Sequence, residues 1–154
     1  MTQQEFDAHA RSYKDVLDES IGFSGEDSDY FAEYKIRDLS RELARSGTDT
    51  DAALRLLDFG CGVGTSMPHA RRYFAQAELL GVDVSEESLD HARARHGELA
   101  KFLVLADGDL PAEAAALDGA YAMCVFHHVD EAVHVQLLSK IRSRIKPGGM
   151  MMVY

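Results

Sequence analysis

The stretch from Leu54 to Ser66 limits the possible folds of this chain most sharply. An apolar run of strand length ends in Asp58, glycines follow at 60, 62 and 64, and Thr65 and Ser66 lead into a segment of helical composition. That order reads as a strand, a glycine turn and the start of a helix. Glycine has no Cβ, so such a turn can take positive φ and let the backbone approach a ligand closely.

The sequence around this turn alternates in pattern. Strands are predicted over 54–59, 78–84, 101–106 and 120–126, with a fifth in the apolar run Met150 to Tyr154. Between them lie a helix starting near 65, a helix capped by Ser85 and stopped by Gly97, and a helix capped by Asp130. The last helix carries an apolar stripe of Val133, Leu137, Leu138, Ile141 and Ile145, and Lys146-Pro147-Gly148-Gly149 ends it. This alternation predicts an α/β fold, a doubly wound and mostly parallel sheet with helices on both faces. Upstream, Phe6, Tyr13, Val16 and Leu17 mark an amphipathic helix over about 3–20. A glycine-containing break at 21–27 follows. A second helix near 29–46 is capped by Ser28 or Asp29, places Tyr30, Phe31, Tyr34, Leu39 and Leu43 on one side, and stops at Gly47. We read residues 1–154 as a single domain, with 1–47 as a helical cap and 48–154 as the α/β core. A chain of 154 residues is long enough to bury roughly two-thirds of its unfolded surface.

Charge narrows the classes of partner. Asp and Glu outnumber Lys and Arg by 26 to 16, a net charge of -10, which disfavours a polynucleotide partner because phosphates are held by clustered basic side chains. Cys61 and Cys124 form neither a CxxC pair nor a disulfide framework and read as small apolar residues of a reducing compartment. The N-terminal residues lack the pattern of a signal peptide, and no apolar run reaches membrane-spanning length. A cytoplasmic protein with no membrane partner is expected. His69, His91, His96 and His134 have no metal-ligand spacing and read as helix-surface residues, so no metal site is expected.

In an open parallel sheet, ligands bind beyond the carboxyl ends of the strands, where the strand order reverses. The predicted strand ends carry Asp58 with the glycine turn, Asp83, Asp107-Gly108 and His127-His128. A dinucleotide fingerprint would need its third glycine one place later than Gly64, and a phosphate-binding loop would need a Gly-Lys-Ser/Thr that is absent. The spacing G-x-G-x-G suits a ligand without a pyrophosphate. Asp83 can accept from ribose hydroxyls in either case.

Several of these strings together carry a resemblance. Leu57-Asp58-Phe59-Gly60-Cys61-Gly62-Val63-Gly64 is similar to the first motif of the class I S-adenosylmethionine-dependent methyltransferases of the small-molecule type. Gly81-Val82-Asp83-Val84-Ser85 resembles their second-strand acidic motif, and Ala106-Asp107-Gly108-Asp109-Leu110-Pro111 their adenine-contacting segment. Val125-Phe126-His127-His128-Val129 resembles the end of their fourth strand, and Lys146-Pro147-Gly148-Gly149 the turn before the fifth. The resemblance covers roughly residues 54–154, with the two N-terminal helices in the place of the usual cap.

The resemblance implies a Rossmann-like methyltransferase fold that binds S-adenosyl-L-methionine and releases S-adenosyl-L-homocysteine. The backbone of Gly60, Gly62 and Gly64 would accommodate the methionine and ribose portions, and Asp58 would sit near the amino group. Asp83 would bond the ribose hydroxyls, Val84 would pack on the adenine, and Asp107 would accept from the adenine amine with the Gly108 amide nearby. Tyr13 and Lys35 would close over the cofactor from the cap helices. His127 or His128 is the candidate general base for an acceptor that must lose a proton.

The sequence departs from the family pattern after the fifth strand, where members continue into a helix and an antiparallel hairpin. A C-terminally truncated form lacking that hairpin is therefore expected. Met150 to Tyr154 would then form an exposed sheet edge, favouring a homodimer or aggregation. Two functions follow: methyl transfer to a small-molecule acceptor, or a cofactor-binding module without turnover. A nicotinamide oxidoreductase fits the fold but not the glycine spacing.

Overall fold

The computed structural model describes residues 28–106 and 108–154. The expected helix over 3–20, with Tyr13, and the carboxylate of Asp107 lie outside the described residues. Within them the chain folds into helices α1 (Ser28–Arg45), α2 (Met67–Tyr73), α3 (Glu86–His96) and α4 (Glu131–Arg142), with strands β1 (Arg55–Phe59), β2 (Glu78–Asp83), β3 (Lys101–Val104), β4 (Leu117–Ala122) and β5 (Ile145–Val153). The strands form a five-stranded sheet in the order β3-β2-β1-β4-β5, and every pairing in it is parallel. β1 is central, and the order reverses between β1 and β4. The expected doubly wound sheet is therefore present, with its switch point beside the glycine turn.

Two apolar layers cover the sheet. On one face, Leu56 and Leu79 pack with Ile36, Leu39 and Leu43 of α1, Met67 and Ala70 of α2, and Leu89 and Ala92 of α3. On the other, Leu57, Phe59, Leu80 and Val82 pack with Leu117, Ala120 and Ile141 of α4. Consecutive residues of β1 and β2 thus alternate between layers, and both strands are apolar because both of their faces are covered.

Three helix boundaries follow the sequence signals. Ser85 accepts a hydrogen bond from the Ser88 amide at the start of α3, and Asp130 accepts from the Ala132 amide at the start of α4. After α1, Gly47 takes φ +90°, with its amide bonded to the Ala44 carbonyl and the Thr48 amide to that of Leu43. That is the paired bonding of a Schellman motif, which a left-handed glycine permits.

Several expectations are corrected. Tyr30 and Tyr34 are 48% and 47% exposed, because the buried stripe of α1 runs through Ala32, Ile36, Leu39 and Leu43 and the two tyrosines lie off it. Val133 is exposed on α4. The third strand ends at Val104, and Ala106 pairs instead with Asp109 across a turn. The fourth strand begins and ends earlier than predicted, at Leu117 and Ala122. Its apolar continuation leaves the ladder at Cys124, which takes φ +57°, and becomes a 3-10 turn over Phe126–His128.

The last helix stops at Arg142, so Ile145 opens β5 and Lys146 to Gly149 fall inside that strand's span. Register shifts there, from Leu117 opposite Ile145 to Gly119 opposite Met150. The irregularity needs its glycines. Gly148 takes φ +85°, and a Cβ on Gly149 would come within 2.6 Å of the Asp118 carbonyl oxygen. Among the described residues no helix is long and apolar enough to cross a membrane.

Candidate functional site

The carboxyl end of β1 turns through three left-handed glycines, Gly60 at φ +74°, Gly62 at +51° and Gly64 at +78°. Their surroundings divide their roles. A Cβ on Gly60 would lie 2.4 Å from Val125 Cγ2, so the loop after β4 presses on the start of the turn. A Cβ on Gly64 would lie 3.2 Å from both His96 and Phe102, so α3 and β3 press on its end. Among the described residues, and apart from its chain neighbours, no heavy atom lies within 4 Å of that position at Gly62. The outer glycines fit the turn to its neighbours, and the middle one leaves open space above its backbone.

The turn is tied to β2. The amides of Gly60 and Cys61 both donate to the Val82 carbonyl, at 2.8 and 3.0 Å. Asp83, only 6% exposed, accepts from the Gly62 amide through Oδ2 at 2.8 Å and from the Ser85 amide through Oδ1 at 2.9 Å. These two amides set the plane of the carboxylate at the edge of the open space. Capping α3 is the work of Ser85, not of Asp83.

Beneath the turn, Asp58 is 3% exposed and stands in register with Gly81 of β2 and Tyr121 of β4. The Ser66 hydroxyl donates to Asp58 Oδ2 and lies 3.3 Å from the Tyr121 hydroxyl. Burial raises the Asp58 carboxyl; the Ser66 hydrogen bond opposes this, the nearby Asp83 charge adds to it, the Tyr121 hydroxyl opposes it, and the result is about 7. Burial likewise pushes the Cys61 thiol and the Tyr121 phenol up, with the charge of Asp58 adding to both. A thiol held protonated in this way is a poor nucleophile, in line with the expectation that Cys61 is an apolar filler.

The remaining expected residues fall around this centre. Val84 is half-buried against the second apolar layer. Gly108 takes φ +71° with open space at its Cβ position, and its carbonyl accepts from Lys140 Nζ at 3.1 Å. His127 is exposed and His128 half-buried in the 3-10 turn after β4, their ring centroids 3.9 Å apart. Phe126 anchors that turn between Phe59 and His134, at centroid separations of 6.3 and 5.2 Å. Lys35 Nζ lies 3.1 Å from Cys124 Sγ and 6.0 Å from the centre of the Tyr154 ring, beside the segment whose Val125 presses on Gly60.

His69 is a correction. It is only 8% exposed, and its Nε2 lies 2.8 Å from Asp29, joining α2 to α1. Ser66 and Tyr121 are site residues that sequence reasoning passed over. The one signal available for them was polarity: a hydroxyl ending the turn and a phenol set between two alanines near the end of β4.

Comparison with known proteins agrees with this geometry. N-demethylindolmycin N-methyltransferase of Streptomyces griseus is 29% identical over 116 residues, spanning 73% of this chain and 48% of that protein. Trans-aconitate 2-methyltransferase of Methylobacterium radiotolerans is 32% identical over 123 residues, spanning 80% of this chain and 45% of that protein. The chain thus spans about half the length of these curated relatives. In fold it is similar to a TehB-like SAM-dependent methyltransferase from Corynebacterium glutamicum, with a TM-score of 0.68 at 18% identity over 95% of this chain and 72% of that one. The family described as "Methyltransferase domain" matches residues 56–149, a span that holds the glycine turn, Asp58, Asp83 and the histidine pair, and the chain belongs to that family.

Proposed function

We propose that this chain binds S-adenosylmethionine over the glycine turn and takes part in transfer of its methyl group to a small-molecule acceptor. The observation that carries the reading is the open space above Gly62, bordered by the fixed carboxylate of Asp83. A ligand offering hydroxyls and a cationic amine matches the acceptors gathered there. Asp83 would accept from the ribose hydroxyls, Asp58 would serve the amino group, and Val84, Asp107 and the Gly108 amide would meet the adenine. When bound, S-adenosylmethionine would supply a methyl group already activated on sulfur. The protein then contributes proximity and alignment.

His127 and His128, on the turn that presses on Gly60 through Val125, would accept a proton where the acceptor must lose one. Lys35 and Tyr13 belong to the segment proposed to cover the bound cofactor. The two relatives are named for different small molecules, which supports the acceptor class without selecting a member. We propose also that residues 1–154 act as one domain, with 1–47 as cap and 48–154 as core, in a cytoplasmic setting with both cysteines free. Nucleic acid and membrane are not among the proposed partners.

Calorimetric titration with S-adenosylhomocysteine tests the reading. Binding is expected for the wild type, weakened about tenfold or more in Asp83→Ala, which removes a charged acceptor. Gly62→Ala should fold with a cost of about 1 kcal/mol for its left-handed backbone and bind more weakly, because its methyl enters the open space. No binding by the wild type, or equal binding by all three proteins, overturns it.

A further inference from the structure

β3 lies outside β2, with Val104 in register with Asp83 and the Leu105 amide bonded to the Asp83 carbonyl at 2.8 Å. Neighbouring strands are about 4.8 Å apart. The turn that follows β3, closed by the pairing of Ala106 with Asp109, therefore borders the crevice one strand beyond Asp83. A ligand that rests on the glycine turn and sets a ribose at Asp83 brings to this turn whatever group the ribose carries on its far side.

Helix α4 holds the turn. Lys140 Nζ donates to the Gly108 carbonyl at 3.1 Å and to Asp109 Oδ1 at 2.6 Å, and Arg144, just past the helix, donates to the Leu110 carbonyl at 3.3 Å. The Asp109 amide donates to the Ala106 carbonyl at 2.9 Å. The peptide between Gly108 and Asp109 is planar, with its C=O and N–H on opposite sides, so Lys140 and Ala106 grip it from both sides and set its orientation. Gly108 takes φ +71°, and among the described residues, apart from its chain neighbours, no heavy atom lies within 4 Å of its Cβ position.

These contacts do little for the fold itself. The Lys140 and Asp109 side chains are 35% and 74% exposed, and an ion pair so open to solvent adds little to stability. The helix and the chain around the turn are joined independently, because Ile141, Leu105 and Leu110 share one apolar layer. Without the lysine the helix should stay docked while the turn loosens.

We infer that Lys140 is a positioning residue for the base end of the ligand: it holds the Gly108–Asp109 peptide so that the turn can read the hydrogen-bonding edge of a purine. The inference rests on the S-adenosylmethionine reading above and adds to it a source of preference for adenine, supplied from α4.

The test is calorimetric titration with S-adenosylhomocysteine and with S-inosylhomocysteine, in which a carbonyl replaces the exocyclic amine and the adjacent ring nitrogen carries a proton. The wild type should prefer the adenosyl ligand by about tenfold or more. Lys140→Met should lose most of that preference, binding the adenosyl ligand about fivefold to tenfold more weakly and the inosyl ligand almost as before. Lys140→Arg, which keeps a cationic donor, should recover most of the preference, and Asp109→Asn, which weakens the same clasp from the turn, should lower it. The melting temperatures of the Lys140 variants should stay within about 2 °C of the wild type.

A Lys140→Met protein that weakens both ligands by the same factor, weakens neither, or melts far below the wild type overturns the inference. So does a wild type that binds the two ligands equally. In each of these cases S-adenosylhomocysteine still binds the wild type and the cofactor reading stands, whereas absence of that binding overturns the cofactor reading itself.

Discussion

Asp58 shows how burying one carboxyl side chain works against the fold. Its carboxyl ionises near 3.8 in its ordinary state and at about 7 when folded. A group raised in this way contributes stability that is complete below its unfolded value and is lost as pH rises through the folded one. The window is therefore pH 4 to 7, and the full difference is worth at most about 4 kcal/mol. Asparagine has the same shape and no charge, so Asp58→Asn escapes that loss. Chemical denaturation of the two proteins from pH 4 to 8.5 should show the variant gaining on the wild type as pH rises, with the gain levelling above 7. Parallel curves would show that the carboxyl is already ionised throughout. The glycines make the complementary point: Gly60 and Gly64 are required by Val125, His96 and Phe102, whereas among the described residues no side chain crowds Gly62 and only its left-handed backbone favours glycine.

The elements are joined by polar clasps at their ends. Arg71, in the last turn of α2, donates to the carbonyls of Ala75 and Ala77 at 2.9 and 2.8 Å and to that of Leu99 at 2.7 Å. One guanidinium thus binds the α2–β2 loop to the α3–β3 loop at the end of the sheet away from the glycine turn. Removing it leaves the half-buried carbonyls of Ala77 and Leu99 without that donor. Arg71→Met should lower unfolding free energy by about 2 kcal/mol, measured by urea denaturation, while leaving S-adenosylhomocysteine affinity unchanged. A loss of affinity at unchanged stability would show that the two ends of the sheet are coupled. The β4–β5 pair is held differently, by the Gly148–Gly149 irregularity and by Tyr154, whose hydroxyl donates to the Lys35 carbonyl at 3.0 Å and lies 3.2 Å from Asp38. The tyrosine links the last strand to α1.

At the level of the molecule, the strand order β3-β2-β1-β4-β5 gathers the ends of β1, β2 and β4 into one crevice and, among the described residues, leaves β3 and β5 as the edges. Val153 on the β5 edge is 49% exposed. Unpaired strand edges recruit other strands, so we propose that two copies associate there. Sedimentation at micromolar concentration should show self-association that Val153→Lys reduces; a monodisperse wild-type monomer would contradict it. Much of the architecture was legible in the residues, because alternation of strands and helices, glycine spacing, and caps such as Ser85, Asp130 and Gly47 are local choices made by neighbouring atoms. Asp58, Asp83 and the three glycines could likewise be picked out, each by its place at a predicted strand end. The errors came where distant segments decide. Cys124 leaves the ladder although its neighbours are strand-like, Ile145 belongs to a strand although it continues a helical stripe, and His69 is buried because α1 lies across it. Sequence alone determined the parallel sheet and the turn, since short-range sterics and periodic burial are written residue by residue. Only the tertiary structure decided that Tyr121 stands in register with Asp58 and that Ser66 reaches it, because pairing between strands some sixty residues apart depends on how the whole sheet packs.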